Sequence, residues 1–161
     1  TRKESSAASD VYKRQMKKLM ILTTILMALG ISTACADNDK PIAVTQLPQK
    51  AQLFIKTHFP KEKVALAKLE RDFLETRYEV VFTNGSKVEF LKDGEWKEVE
   101  CKYSTVPTAI IPAQIASYVS QNYPDTQIVQ IDRGKRDYEV KLTNRLELTF
   151  DLNFNLIDID D

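Results

Sequence analysis

LPQKAQLFIKTHFP, residues 47–60, and IPAQIASYVSQNYP, residues 111–124, carry one pattern in different letters. Leu47 matches Ile111, Pro48 matches Pro112 and Phe54 matches Tyr118. Ile55 matches Val119, Phe59 matches Tyr123 and Pro60 matches Pro124, always 64 positions apart. Further on, RYEVVFTN (77–84) matches DYEVKLTN (137–144) at a spacing of 60. Phe90 with Phe150, Trp96 with Leu156 and Val99 with Ile159 keep that spacing. A shared order of helix, proline, YEV strand and TN turn points to an internal duplication.

Each copy reads locally. A proline at the start of a helix loses no hydrogen bond there, which suits Pro48 and Pro112. Residues at helical spacing follow: Ala51, Phe54, Ile55 and His58 or Phe59 in one copy, Ile115, Tyr118, Val119 and Asn122 or Tyr123 in the other. That makes one apolar stripe per helix. The residue before a proline is driven out of the helical region, so the helices end near Phe59 and Tyr123. Each of these aromatics is expected to fold under its helix end.

Strands follow. Residues 64–69, 78–82, 87–91 and 96–101 form the first set, and 128–131, 138–142, 146–150 and 156–159 the second. Their apolar and polar residues alternate, as in strands with one wet face. Asn84-Gly85 and Asp93-Gly94 mark hairpin turns, and an Asn-Gly pair suits a two-residue turn with both residues at positive φ. A unit of 50–60 residues buries little apolar surface alone. The expected class is α+β: a tandem duplication of one helix plus four antiparallel strands, giving about eight strands with two helices on one face. The repeats span 47–104 and 105–161 within one globular unit, after a linker at 37–46.

The start of the chain reads differently. Residues 1–15, TRKESSAASDVYKRQ, are polar, without apolar period, and are expected to be non-native or disordered leader. Met16 to Ala36 reads as a signal peptide. Lys17 and Lys18 form its basic end, Leu19 to Ile31 its apolar run, and Ala34-Cys35-Ala36 fits a cleavage site. The run is short for a membrane span of roughly 20 residues. The chain is therefore expected in the periplasm or outside the cell, cleaved after Ala36. Lipidation of Cys35 is the alternative, and the only route to a membrane.

The whole chain balances 23 basic against 23 acidic residues. Residues 1–36 hold six of the basic and two of the acidic ones, so the remaining 125 carry 17 against 21. A mildly acidic domain lacks the basic surface that nucleic acid requires. One cysteine, Cys101, then remains, which excludes an internal disulfide. Neither Cys101 nor the single histidine, His58, belongs to a catalytic pattern, and glycine loops for phosphate are absent. No enzyme activity, cofactor or metal is expected. Asp158, Asp160 and Asp161 in IDIDD could hold Ca²⁺ only weakly, since a calcium loop needs more ligands and a turn glycine.

The strand alternation leaves one sheet face bare of helices. Glu79, Lys87, Glu89, Glu98, Glu139, Lys141 and Glu147 are expected there, with Arg77 and Asp137. Strand parity with Glu98 places Trp96 on the same face, at its rim. An exposed tryptophan would be a contact anchor; folding over the hairpin edge or into the core, which its apolar counterpart Leu156 favours, is the alternative. These residues form the candidate partner-binding surface.

LP…FIKTHFP, RYEVVFTNGSKVEF and DGEWKEVE, then IP…YVSQNYP, DYEVKLTNRLELTF and NLIDID, resemble the secreted, β-lactamase-inhibitor-like, PepSY-like family of bacterial proteins. The resemblance covers 47–160. It implies a tandem helix-plus-four-strand fold outside the cytoplasm, and a module that binds or inhibits an extracytoplasmic protein or peptidase. No inhibitor contact residue can be matched to this chain. A binder of a small molecule or envelope fragment in the sheet concavity is the alternative function.

Overall fold

Two local rules, helical periodicity ended by proline and strand alternation ended by turns, build the observed elements. The computed structural model describes residues 39–71 and 75–161, and Asp37–Asp161 cluster as one compact unit. The expected leader, the expected signal peptide and Cys35 lie outside the described residues. The elements run β1 (Lys40–Pro41), α1 (Gln49–His58), β2 (Val64–Arg71), β3 (Thr76–Phe82), β4 (Lys87–Leu91) and β5 (Trp96–Glu100). They continue with α2 (Ala113–Asn122), β6 (Ile128–Arg133), β7 (Asp137–Leu142), β8 (Glu147–Asp151) and β9 (Leu156–Asp160).

The class is α+β, as expected, but the sheet has nine strands in sequence order, all antiparallel neighbours, where eight were expected. The extra strand, β1, lies within the expected linker. Lys40 pairs Leu69, Pro41 pairs Lys68, and Ile42 N–H donates to the Ala67 carbonyl at 2.9 Å. A proline cannot donate to a ladder, which suits this short strand to the sheet margin.

Pro48 and Pro112 directly precede their helices, and their carbonyls accept the first helical bonds, from Gln52 N–H at 3.1 Å and Ala116 N–H at 3.0 Å. The stop signals act as read. Phe59 (φ −127°) and Tyr123 (φ −135°) leave the helical region while their N–H groups still reach Ile55 and Val119, both at 2.8 Å. Phe59 turns under α1 and stacks on Phe82 at 4.9 Å.

Both helices cover the same sheet face. Phe54 of α1 meets Phe90 edge-on at 5.5 Å, and Tyr118 of α2 meets Phe150 in the same way at 5.4 Å. Val80, Phe82, Val88, Phe90, Val140, Leu142, Leu148 and Phe150 are all buried on that side. Such T-shaped pairs contribute about 0.5–1.5 kcal/mol beyond area burial. The sheet is continuous through the β5–β6 joint, where buried Val99 pairs buried Ile131.

The four hairpins within β3–β4, β4–β5, β7–β8 and β8–β9 share one turn design. In the first, Gly85 N–H donates to the Phe82 carbonyl at 3.0 Å and Phe82 N–H to Ser86 at 2.9 Å. Three residues therefore span the turn, and of Asn84 and Gly85 only Gly85 has positive φ, +82°. This corrects the two-residue turn expected of Asn84-Gly85. Gly94, Arg145 and Phe154 hold the same left-handed place, at +85°, 77° and 63°.

Gly94 also lets α1 approach. A Cβ there would stand 2.7 Å from Pro48 Cβ and 3.2 Å from Ala51 N. Gly94→Ala is therefore expected to destabilise by about 2 kcal/mol or more, through backbone strain and overlap with the helix start. Exposed Arg145 has the converse problem. Arg145→Gly relieves left-handed strain of about 1–2 kcal/mol and loses part of it to unfolded-chain entropy, so a net gain of up to about 1 kcal/mol is expected. Urea unfolding midpoints of the two variants check both signs.

Candidate functional site

The face without helices is built by the same alternation that buries the other. Register, not sequence neighbourhood, decides which of its side chains meet. Glu79 of β3 lies opposite Glu89 of β4, Glu89 opposite Glu98 of β5, Glu98 opposite Asp132 of β6 and Asp132 opposite Glu139 of β7. Five carboxylates thus sit on five successive strands. With strands about 4.8 Å apart, the row is roughly 19 Å long.

Cations ring the row and do not fill it. Lys68 reaches Asp39 at 2.9 Å, Glu70 at 2.8 Å and Glu79 at 3.3 Å at one end. Lys97 holds Asp132 at 2.5 Å, Lys87 holds Glu100 at 2.8 Å, and Arg77 approaches Glu89 at 3.8 Å. Lys141 pairs with Glu147. Gln130 Nε2 donates to Glu98 Oε1 at 2.7 Å. So Glu79, Lys87, Glu89, Glu98, Glu139, Lys141 and Glu147 all lie on the helix-free face, and Asp132 joins them.

Trp96 does not. A bulge between β4 and β5 sets Glu89 opposite Glu98 but Phe90 opposite Trp96, so Lys97 is the extra residue. The bulge reverses the parity on which the open-face placement of Trp96 rested. The indole lies 6.4 Å from Phe54 of α1 and packs against the core. The Arg133 guanidinium covers its ring at 4.7 Å and donates to its carbonyl at 2.7 Å. Trp96 is a packing residue on the helix side. Among the described residues, one hollow on the open face, lined by Gln130, Asp132, Glu139, Val140, Lys141 and Glu147, holds about 40 Å³.

A family model described as "Putative beta-lactamase-inhibitor-like, PepSY-like" matches residues 76–158. The chain belongs to the PepSY-like family. A crystal structure from Bacteroides thetaiotaomicron, described as a "putative calcium-regulated periplasmic protein", is 66% identical, with TM-score 0.77, over 78% of this chain and 99% of its own. A "putative periplasmic protein" of Bacteroides vulgatus is 60% identical, with TM-score 0.76, over 78% and 99%. A second protein of that organism, described as periplasmic and of unknown function, is 36% identical, with TM-score 0.74, over 77% and 100%. No curated protein sequence gives a significant match.

In this PepSY-like chain the row is electrostatically crowded. Burial first, then the neighbouring Glu70 and Glu79 carboxylates, pushes Glu89 above the usual carboxylate range. Burial, then Glu89 and Asp132, does the same to Glu98. Hydrogen bonds from Lys68 to Glu70 and Asp39 hold that ammonium well above its ordinary value. The remaining reactive types are occupied elsewhere. His58 packs on Phe54 at 4.5 Å. Cys101 is buried, and burial raises its thiol above the ordinary range, the reverse of an activated nucleophile. Among the described residues no three acidic, histidine or cysteine side chains converge as metal ligands; Asp158 and Asp160 lie along β9, and Asp161 follows it.

A carboxyl with a raised folded-state value binds its proton more tightly folded than unfolded. Its ionisation therefore removes stability as pH rises from the ordinary glutamate range through the raised value. Glu98→Gln, which keeps an acceptor for Gln130, is expected to stabilise at pH 7 by up to about 1 kcal/mol, the scale of a like-charge cross-strand pair. The gain should vanish below the ordinary glutamate value. Urea titrations of both proteins at pH 7 and pH 3.5 measure it.

Proposed function

We propose that this chain is a non-catalytic periplasmic module that docks an extracytoplasmic protein or peptide on its helix-free sheet face. The observation that carries this reading is the aligned row Glu79–Glu89–Glu98–Asp132–Glu139. Like charges placed directly opposite cost stability, and a cationic partner would relieve the repulsion. The row therefore favours a basic contact surface. Export fits the reading of residues 16–36 and the periplasmic description of the similar structures. The buried thiol and the helix-packed histidine favour a non-enzyme. We also infer descent from a duplicated half, because the bulge at Glu89/Phe90 recurs at Thr149/Phe150 and the one at Val64/Leu66 recurs at Ile128/Gln130. Inhibition of a peptidase is one form such docking can take.

A small ligand or envelope fragment on this face has less support, since ligand pockets run to about 300–1,000 Å³ and the hollow there holds about 40 Å³. Calcium has one specific observation in its favour, the description of the 66% identical relative as calcium-regulated. In this chain a divalent cation would act by screening the row. A rise in melting temperature with 1 mM CaCl₂ or MgCl₂, but not with NaCl at the same ionic strength, would support that second reading.

The test of docking is capture from periplasmic extract at low and high salt. Glu89→Lys/Glu98→Lys is expected to lose at least tenfold of the captured partner, and 0.5 M NaCl to weaken capture by the natural chain. Trp96→Ala should retain capture, since its side chain serves the core. Equal capture by the charge-reversed and natural proteins would reject the face.

A further inference from the structure

The two hairpin ladders end in equivalent strands, β5 and β9, yet among the described residues only β5 has a further strand paired on its outer side. On β5, Val99 is 0% exposed because Ile131 of β6 lies opposite; its counterpart on β9, Ile159, is 46% exposed. Beside it Ile157 is 60% exposed. Among the described residues, β8 is the only strand paired with β9. The β5–β6 joint thus shows, inside the same molecule, what completes an edge of this design.

The joint also shows what that strand must carry. At that joint Asp132 of β6 stands opposite Glu98 of β5, and the bulge residue Lys97 holds it at 2.5 Å. On β9 the corresponding bulge residue is Ile157, and Asp158 takes the place of Glu98. An acid opposite Asp158 would meet no cation there, whereas a lysine or arginine would meet a carboxylate. Opposite Ile159 an aliphatic residue would cover the exposed side chain as Ile131 covers Val99. Opposite Asp160 a second basic residue is favoured. A second copy of the chain fits poorly. Pairing β9 with β9 sets aspartates against aspartates, and no basic–aliphatic–basic tripeptide occurs in the sequence.

We propose that the outer edge of β9 accepts an extended segment of a partner protein as an added antiparallel strand, with basic, aliphatic and basic residues opposite Asp158, Ile159 and Asp160. Main-chain hydrogen bonds supply the affinity of such strand addition, and alternate side chains supply the selectivity. This edge is a different surface from the acidic row, so each can fail without the other.

The experiment uses the full chain and a fluorescein-labelled nine-residue peptide of alternating lysine and valine, followed by anisotropy. Saturable binding is expected. A glutamate–valine peptide, or the lysine–valine peptide N-methylated at its valines, should bind at least tenfold more weakly. Ile159→Lys and Asp158→Lys should each weaken the lysine–valine peptide at least tenfold, with melting curves confirming that both variants fold. Glu89→Gln/Glu98→Gln should leave it within twofold. No binding, indifference to N-methylation, or indifference to Ile159→Lys would overturn the proposal. Loss with Glu89→Gln/Glu98→Gln alone would overturn it while leaving docking on the open face standing.

Discussion

Hairpin register is the constraint on which the rest of the molecule depends. A three-residue loop with a left-handed third residue closes the β3–β4, β4–β5, β7–β8 and β8–β9 hairpins, at Gly85, Gly94, Arg145 and Phe154. Loop length sets which residues face each other, and a one-residue slip would send every side chain to the opposite face. Held in register, Val80, Val88 and Val99 align beneath α1, and Ile131, Val140 and Leu148 continue the same layer. The acidic row is the other side of that alignment. Its members are brought together by the same backbone bonds that assemble the core.

Arg145 and Phe154 show how firmly the register is held. Neither residue favours a left-handed backbone, yet both adopt it where Gly85 and Gly94 stand in the first half. Phe154 also packs on Tyr138 at 5.4 Å, so its side chain offsets part of the strain. The helices add a second lock. Each lays an aromatic edge-on over the phenylalanine that precedes the bulge in its hairpin, Phe54 over Phe90 and Tyr118 over Phe150. Slippage of the strands would separate these pairs.

The helix-free face shows the opposite economy. Its ion pairs are partly solvated, and pairs of that kind contribute tenths of a kcal/mol to about 1 kcal/mol. Within the row, burial and neighbouring carboxylates make the charged forms of Glu89 and Glu98 costly. Local conflicts of this sort mark places where a sequence serves something besides its fold. They give the PepSY-like sheet a directional negative field, whereas the buried face is closed by its own helices.

Much was legible in the sequence because it was local. Helical spacing in 47–60 and 111–124, the proline stops, the strand alternation and the glycine turns act within a few residues, so the two helices, the positions of eight strands and the faces of the residues assigned on β3, β4, β7 and β8 could be read directly. Glu79, Glu89, Glu98, Glu139 and Glu147 were legible as open-face acids for the same reason, but Asp132 was not. What only tertiary structure decided was which strands meet. Nothing local joins β5 to β6, and that joint brings Asp132 between Glu98 and Glu139. Nor does any local signal announce β1, whose two residues pair only because β2 lies ready beside them. Trp96 shows the limit most clearly. Parity from Glu98 points it outward, but pairing inserts Lys97 as a bulge, and contact with Phe54 and Arg133 holds the indole inward. One extra residue in a ladder is a property of two strands together, and the sequence of one strand cannot express it.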